Sequence, residues 1–175
     1  GIGKTFSAKE WGISDYLKNG NQFIYLRRYK TELVTISTYF ADIAWKFPGY
    51  GFRVNGGLAQ ITREPDAEKP KWETMGYFLA LSNSQARKSV AYPRVTKIIF
   101  DEFIIEKGVH HYLPGEAKVM LDFYSTVDRN KDTTRVLFLA NSVSIMNPYF
   151  MAYEVHPSEG DEWIRSHEGF ITVHL

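Results

Sequence analysis

Two short segments carry residue types that together do phosphate chemistry. The first is Gly3-Lys4-Thr5, which with Gly1 fills the second half of the phosphate-loop pattern G-x-x-x-x-G-K-[ST]. In such a loop, backbone N–H groups cradle phosphate oxygens and the helix N-terminus behind them favours negative charge. Gly1 and Gly3 would supply close-approaching backbone, Lys4 would reach the β- and γ-phosphates of ATP, and the Thr5 hydroxyl would ligate Mg2+. Alone the tripeptide is weak, and it also reads as an ordinary helix start. The second segment is KIIFDE, Lys97 to Glu102, an apolar run that delivers two carboxylates at its tip. Asp101 would hold Mg2+, directly or through water. Glu102 would take the proton of the water that attacks the γ-phosphate. Taken singly, such a segment is also just a strand leaving the core into a polar turn. A Gly-Lys-Thr upstream favours the chemical reading.

Further candidates depend on these two. Asn141 ends the next apolar run, RVLFLAN, where an α/β sheet presents ligand-facing side chains. It would sense the γ-phosphate or orient the water, or simply cap an Asx-turn. Arg129, in TVDRN, is one arginine that a neighbouring subunit could use on developing transition-state charge, with Arg135 as a nearby competitor; both also read as solvated surface, and the spacing alone picks neither. Arg27-Arg28-Tyr29-Lys30 sets three cations at a strand exit, which reads either as a phosphate contact or as a solvated loop. Lys88 and Lys107 are isolated cations. The five histidines have no ligand-like spacing, and the adjacent His110 and His111 would face opposite sides of a strand.

The elements that must position these residues follow from hydrophobic period and turn chemistry. Thr5 to Leu17 predicts a helix that stops at Asn19-Gly20. Gln22 to Arg28 predicts a buried strand. Leu33, Ile36, Phe40, Ile43 and Phe47 recur every three or four residues, predicting a second amphipathic helix from Thr31 to Pro48-Gly49. From Phe52 to Ser82 the chain reads as a meander, with FRVN and LAQITR joined by the hairpin signal Gly56-Gly57. Val95 to Phe100, Arg135 to Ala140 and the tail Gly169 to His174 read as strands, and Glu116 to Val127 as a helix. The alternation predicts an α/β fold, a central mostly parallel sheet with helices on both faces.

Composition narrows the classes. The 175 residues are about one domain, and 44% apolar with 23% charged residues exclude a disordered chain. Without cysteine there is no disulfide framework, thiol catalysis or cysteine zinc site. A net charge of +1 argues against a whole-surface polyanion binder and leaves room for a local basic patch. No apolar run approaches the ~18 residues of a membrane span, so no membrane partner is expected.

The segments GIGKT, QFIYLRRYKTEL, RKSVAYPRV, IIFDEFIIEK, TVDRN and LANSVSIMNPYF resemble, in order and spacing, the DNA-packaging ATPases of the phi-twenty-nine-like tailed bacteriophages. The resemblance runs from Gly1 to about Tyr153 and is least from Phe52 to Ala80. It implies a RecA-like ASCE phosphate-loop NTPase fold. It matches Lys4 and Thr5 to the phosphate-loop residues, Asp101 to the Mg2+-associated aspartate and Glu102 to the catalytic glutamate. It also matches Arg129 to the arginine acting in trans, Lys88 to a second intersubunit candidate for ATP, and Asn141 to the polar strand end. Lys30 matches a basic residue facing nucleotide or the DNA channel, and Lys107 lies in the segment after Asp101-Glu102. Ile105 stands where that segment is basic in the family.

The function so implied is ATP-driven translocation of double-stranded viral DNA into a procapsid by a homo-oligomeric ring, a pentamer by resemblance. The cofactors are ATP and Mg2+. Further partners are the portal or connector and packaging RNA, and the setting is the host cytoplasm with docking on the procapsid. Residues 1–175 are expected to be an ATPase domain cut from a longer protein. Its first strand and half its phosphate loop would lie upstream, and a nuclease-like domain downstream. Two other readings stay open: another ring-forming phosphate-loop DNA motor, a helicase or DNA pump, and a non-catalytic nucleic-acid scaffold.

Overall fold

The computed structural model describes residues 3–105, 110–141 and 144–175. Six strands form one sheet in the order β2-β3-β4-β1-β5-β6. They are β1 (Gln22–Arg27), β2 (Gly51–Asn55), β3 (Leu58–Thr62), β4 (Glu73–Ala80), β5 (Val95–Asp101) and β6 (Arg135–Leu139). Strands β4, β1, β5 and β6 run parallel, while β2 and β3 are antiparallel additions on the β4 side. Gly56 and Gly57 turn the β2–β3 hairpin with φ of 57° and 82°, the backbone that a two-residue type I′ loop demands.

The period of two along the strands sorts side chains to two cores. Phe23, Tyr25 and Ile99 pack with Ala8, Ile13 and Tyr16 of helix α1 (Lys4–Asn19). Ile24, Leu26, Ile98 and Phe100 pack on the opposite face with Ala117, Met120, Phe123 and Val127 of helix α2 (Glu116–Asp128). The expected mostly parallel sheet with helices on both faces is therefore present. Helix α1 ends as its sequence requires: Gly20 adopts φ 72°, and its N–H donates to the Tyr16 carbonyl at 2.8 Å. A short helix α3 (Pro148–Ala152) starts from Asn147, whose side chain accepts the N–H groups of Tyr149 and Phe150. A separate hairpin, β7 (Trp163–Ser166) with β8 (Ile171–His174), closes the described chain.

The expected helix from Thr31 to Phe47 is not continuous. The segment is broken into three short 3-10 helices, Lys30–Leu33, Ile36–Thr38 and Ala44–Lys46. Thr31, Val34, Thr35, Ile36 and Thr38 are β-branched and lose χ1 freedom in an α-helix, so propensity is poor just where the helix would nucleate. The apolar spacing still marks burial. Tyr39, Phe40 and Ile43 cover the antiparallel half of the α1 face, with Leu33, Ile36 and Phe47 packed beside them.

Strands β4 and β1 are pressed together at one point. A Cβ on Gly76 would lie 2.7 Å from the Phe23 carbonyl oxygen and within 2.9 Å of its ring. Gly76→Ala should therefore cost about 1–3 kcal/mol through overpacking, read as a lower denaturant midpoint at unchanged slope.

Candidate functional site at the strand ends

Parallel pairing places the C-terminal ends of β1, β5 and β6 side by side, with Leu26 opposite Phe100 and Asp101 opposite Leu139. Helix α1 runs back across the face that carries Tyr25 and Ile99, so its first turn meets this edge. There the Thr5 hydroxyl lies 3.2 and 3.4 Å from the Asp101 carboxylate oxygens, and the Lys4 ammonium donates to the Ala140 carbonyl at 2.9 Å. Asn141, exposed, follows at the tip of β6. Lys4, Thr5, Asp101 and Asn141 come from three elements up to 137 positions apart in sequence and meet at one edge. Gly3 is the exposed N-cap of α1; it offers no side-chain cap, and the first turn carries no acidic residue. No side chain of this first turn offsets the positive end of the helix.

Asp101 is 8% exposed and fully engaged. Besides Thr5, it accepts the Tyr25 hydroxyl at 2.8 Å and the Glu102 N–H at 3.1 Å. Burial, together with this carboxylate, pushes the Tyr25 hydroxyl far above its ordinary value, so it stays a neutral donor. One carboxylate and one hydroxyl at a strand–helix junction suit Mg2+, which takes its remaining oxygens from water and phosphate. Among the described residues, no group of three or more His, Asp or Glu side chains could hold a metal by itself.

Glu102 turns the chain sharply, with φ 57°. Its exposed carboxylate receives the Arg27 guanidinium at 2.5 Å, and Arg27 also donates to Glu32 at 3.1 Å. The next residue, Arg28, points the other way. Its Nε donates to both Glu116 oxygens at 3.0 and 2.8 Å, and its terminal nitrogens donate to the carbonyls of Glu102 and Phe103. Glu116 also accepts the Tyr149 hydroxyl at 2.5 Å and the Leu113 N–H at 2.7 Å. Arg27 and Arg28 are thus neither solvated nor free to meet phosphates, as charge spacing alone allowed. Lys30 is exposed at the start of the first 3-10 helix, beyond the same strand end.

The structure does not bring Arg129 to this edge. Helix α2 begins at Glu116, beside Arg28, and its 13 residues carry the chain about 20 Å away before Arg129 caps it. Arg129 is exposed and donates to the carbonyls of Val90 and Thr126 at 3.3 and 3.4 Å. Lys88 lies in the adjoining segment, exposed, at the end of the 3-10 helix Leu81–Arg87. Arg135 spends its guanidinium on Asp132 and the Thr134 carbonyl. Gly1 and Lys107 lie outside the described residues.

Residues 1–164 match the family described as Podovirus DNA encapsidation protein (Gp16). The chain belongs to that family. It is 41% identical over 157 residues to the DNA packaging protein of Bacillus phage phi29, covering 90% of this chain and 45% of that protein. Against the DNA packaging protein of Bacillus phage B103 the identity is 43%, covering 90% and 46%. The chain therefore spans about half the length of these curated relatives. A crystal structure of the N-terminal domain of the DNA packaging ATPase from bacteriophage phi29 matches with TM-score 0.82 and 39% identity, covering 94% of this chain and 80% of that one. The bacteriophage Phi-29 viral genome packaging motor assembly matches with TM-score 0.86 and 36% identity, covering 100% and 50%. The large terminase ATPase domain of Thermus phage P74-26 shares the fold alone, with TM-score 0.53 and 13% identity over 99% of this chain and 68% of that one.

Within this encapsidation-family fold, the sequence motifs passed over several supporting residues. Tyr25 gives no signal beyond being one more aromatic on a buried strand. Tyr149 belongs to the segment LANSVSIMNPYF, where the resemblance gives it no role. Glu116 reads as an ordinary first-turn acid. Removing one partner strands the other charge out of water, so Arg28→Ala should cost about 3–5 kcal/mol of unfolding free energy. Tyr149→Phe removes one hydrogen bond to a carboxylate and should cost about 1.5–3 kcal/mol. Denaturant unfolding of the two variants checks both the size and the order of these effects.

Proposed function

We propose that this chain is the nucleotide-hydrolysing part of a ring motor that drives double-stranded DNA into a procapsid. The observation that carries this reading is the meeting of the Thr5 hydroxyl with the Asp101 carboxylate, with Lys4 at the same edge. The four adjacent parallel strands, with an acidic pair at the tip of β5 and Asn141 at the neighbouring tip, support a RecA-like ASCE phosphate-loop fold.

In this reading Lys4 exchanges the Ala140 carbonyl for the β- and γ-phosphates of ATP, and Gly1 and Gly3 allow close backbone approach. Mg2+, when bound, supplies positive charge to the phosphate oxygens. Thr5 and Asp101 would hold it, and Tyr25 and the Glu102 N–H keep the Asp101 carboxylate in place. Water adds to the γ-phosphorus as the bond to the β-bridging oxygen breaks, and its proton passes to the Glu102 carboxylate. The Arg27 guanidinium holds the Glu102 carboxylate at 2.5 Å, so this contact must open for the carboxylate to reach the water. Asn141 orients the water. Arg129, too far from its own site, acts on a neighbour's, with Lys88 beside it.

Such division of labour needs a ring, and a homopentamer docked at a portal or connector with packaging RNA, in the host cytoplasm, is the form proposed. DNA would be held through its phosphates, without sequence preference, by a few cations such as Lys30 and Lys107.

Glu102→Gln in the full-length protein should lower ATP turnover by about 10²–10⁴-fold while leaving ATP binding intact. Equal turnover by wild type and variant would remove Glu102 from the reaction.

A further inference from the structure

Asp128 is the last residue of α2, and its side chain is unused by the chemistry above. It is 5% exposed, and its carboxylate accepts three backbone N–H groups of the following loop. Asp132 donates to Oδ2 at 2.9 Å, and Thr133 and Thr134 donate to Oδ1 at 3.1 and 2.9 Å. Burial alone would raise this carboxyl, but the N–H groups of Thr134, Asp132 and Thr133 hold it below the usual carboxylate range.

The loop so gathered is an unfavourable one. Arg129, Asn130 and Asp132 all lie in the left-handed region, with φ of 49°, 60° and 52°, and none is glycine. Such backbone persists only where its surroundings over-determine it. Here the over-determination is the Asp128 carboxylate, which closes the loop onto the helix end. The consequence falls on Arg129, which projects from the first strained position. Its guanidinium donates to the carbonyls of Val90 and Thr126, and among the described residues no carboxylate pairs with it. The same loop sets Asp132 beside Arg135, at 3.4 Å, and keeps that second arginine within its own chain.

We propose that Asp128 is a positioning residue that aims Arg129 at the nucleotide of the neighbouring subunit. This rests on the reading that Arg129 acts in trans. It predicts a defect that belongs to the neighbour: a subunit altered at Asp128 keeps its own strand-end site intact and fails to serve the next one.

The test uses full-length protein and steady-state ATP turnover. Asp128→Ala should lower kcat by about 10²-fold, the cost of a misplaced catalytic group, with KM for ATP within about twofold. Mixing Asp128→Ala with Glu102→Gln should restore turnover, because Glu102→Gln subunits still supply a well-aimed Arg129 to the sites of Asp128→Ala subunits. A merely structural role would lower the activity of each altered subunit without such rescue. Asp128→Asn keeps the acceptor toward Thr133 and Thr134 and loses the one toward Asp132, so it should show a smaller loss with the same rescue. If Asp128→Ala does not fold, this variant decides. Unchanged turnover in Asp128→Asn and Asp128→Ala, or loss without rescue, overturns the positioning role. Full turnover by Arg129→Ala instead overturns the trans reading itself.

Discussion

Arg28 and Glu116 form an ion pair that water hardly reaches, with side chains 2% and 0% exposed. Taking both charges out of water is costly, and only fixed geometry with further hydrogen bonds offsets it. Here every remaining contact goes to a segment that frames the site. Arg28 closes the end of β1 and grips the carbonyls of Glu102 and Phe103, where β5 leaves the sheet. Glu116 takes the Leu113 N–H at the start of α2 and the Tyr149 hydroxyl from α3. These contacts hold the exit of β5, where Glu102 lies in the left-handed region with its carboxylate against Arg27. The ion pair contributes placement more than net stability, because an apolar replacement of equal volume could pack as tightly without fixing the carbonyls.

The other half of the frame is α1, fixed against β5 at both ends. Lys97, Ile99 and Asp101 point to the α1 face by the strand's period of two. Asp101 receives Thr5 at the start of the helix. Near its other end, Lys97 is buried against Asp15 and lies 4.9 Å from the centre of the Trp11 ring. Burial pulls the Lys97 amine down to about 8. A helix held at both ends cannot slide along the strand, so the separation between Lys4 and the acidic tip of β5 is set by the fold.

Much of this was legible in the sequence, for identifiable reasons. Strands β1, β5 and β6 and helices α1 and α2 follow from apolar period and from caps such as Gly20. The pairing of Thr5 with Asp101 follows from residue types that have one chemistry in common. The segment from Thr31 to Phe47 was misleading because spacing of three or four records which face is buried, and successive 3-10 turns meet that demand as an α-helix does. Arg27 and Arg28 were opaque for another reason. They are adjacent, yet strand geometry sends them to opposite faces, and their partners Glu102 and Glu116 lie 75 and 88 positions away. Only the strand order brings those carboxylates near. Tyr25 was hidden because a core tyrosine and one that orients a carboxylate look alike until the hydroxyl's partner is known.

The central claim is that the strand-end edge holding Lys4, Thr5 and Asp101 is where nucleotide is bound and cleaved. A structure of the full-length protein assembled with Mg2+ and a slowly hydrolysed ATP analogue tests it most directly. The account predicts the Lys4 ammonium on the β- and γ-phosphates, the metal beside Thr5 and Asp101, and a neighbour's Arg129 facing the γ-phosphate. Nucleotide bound elsewhere, for instance in the cleft of about 700 Å³ lined by Trp11, Lys18 and Arg135 at the opposite end of the sheet, would contradict it.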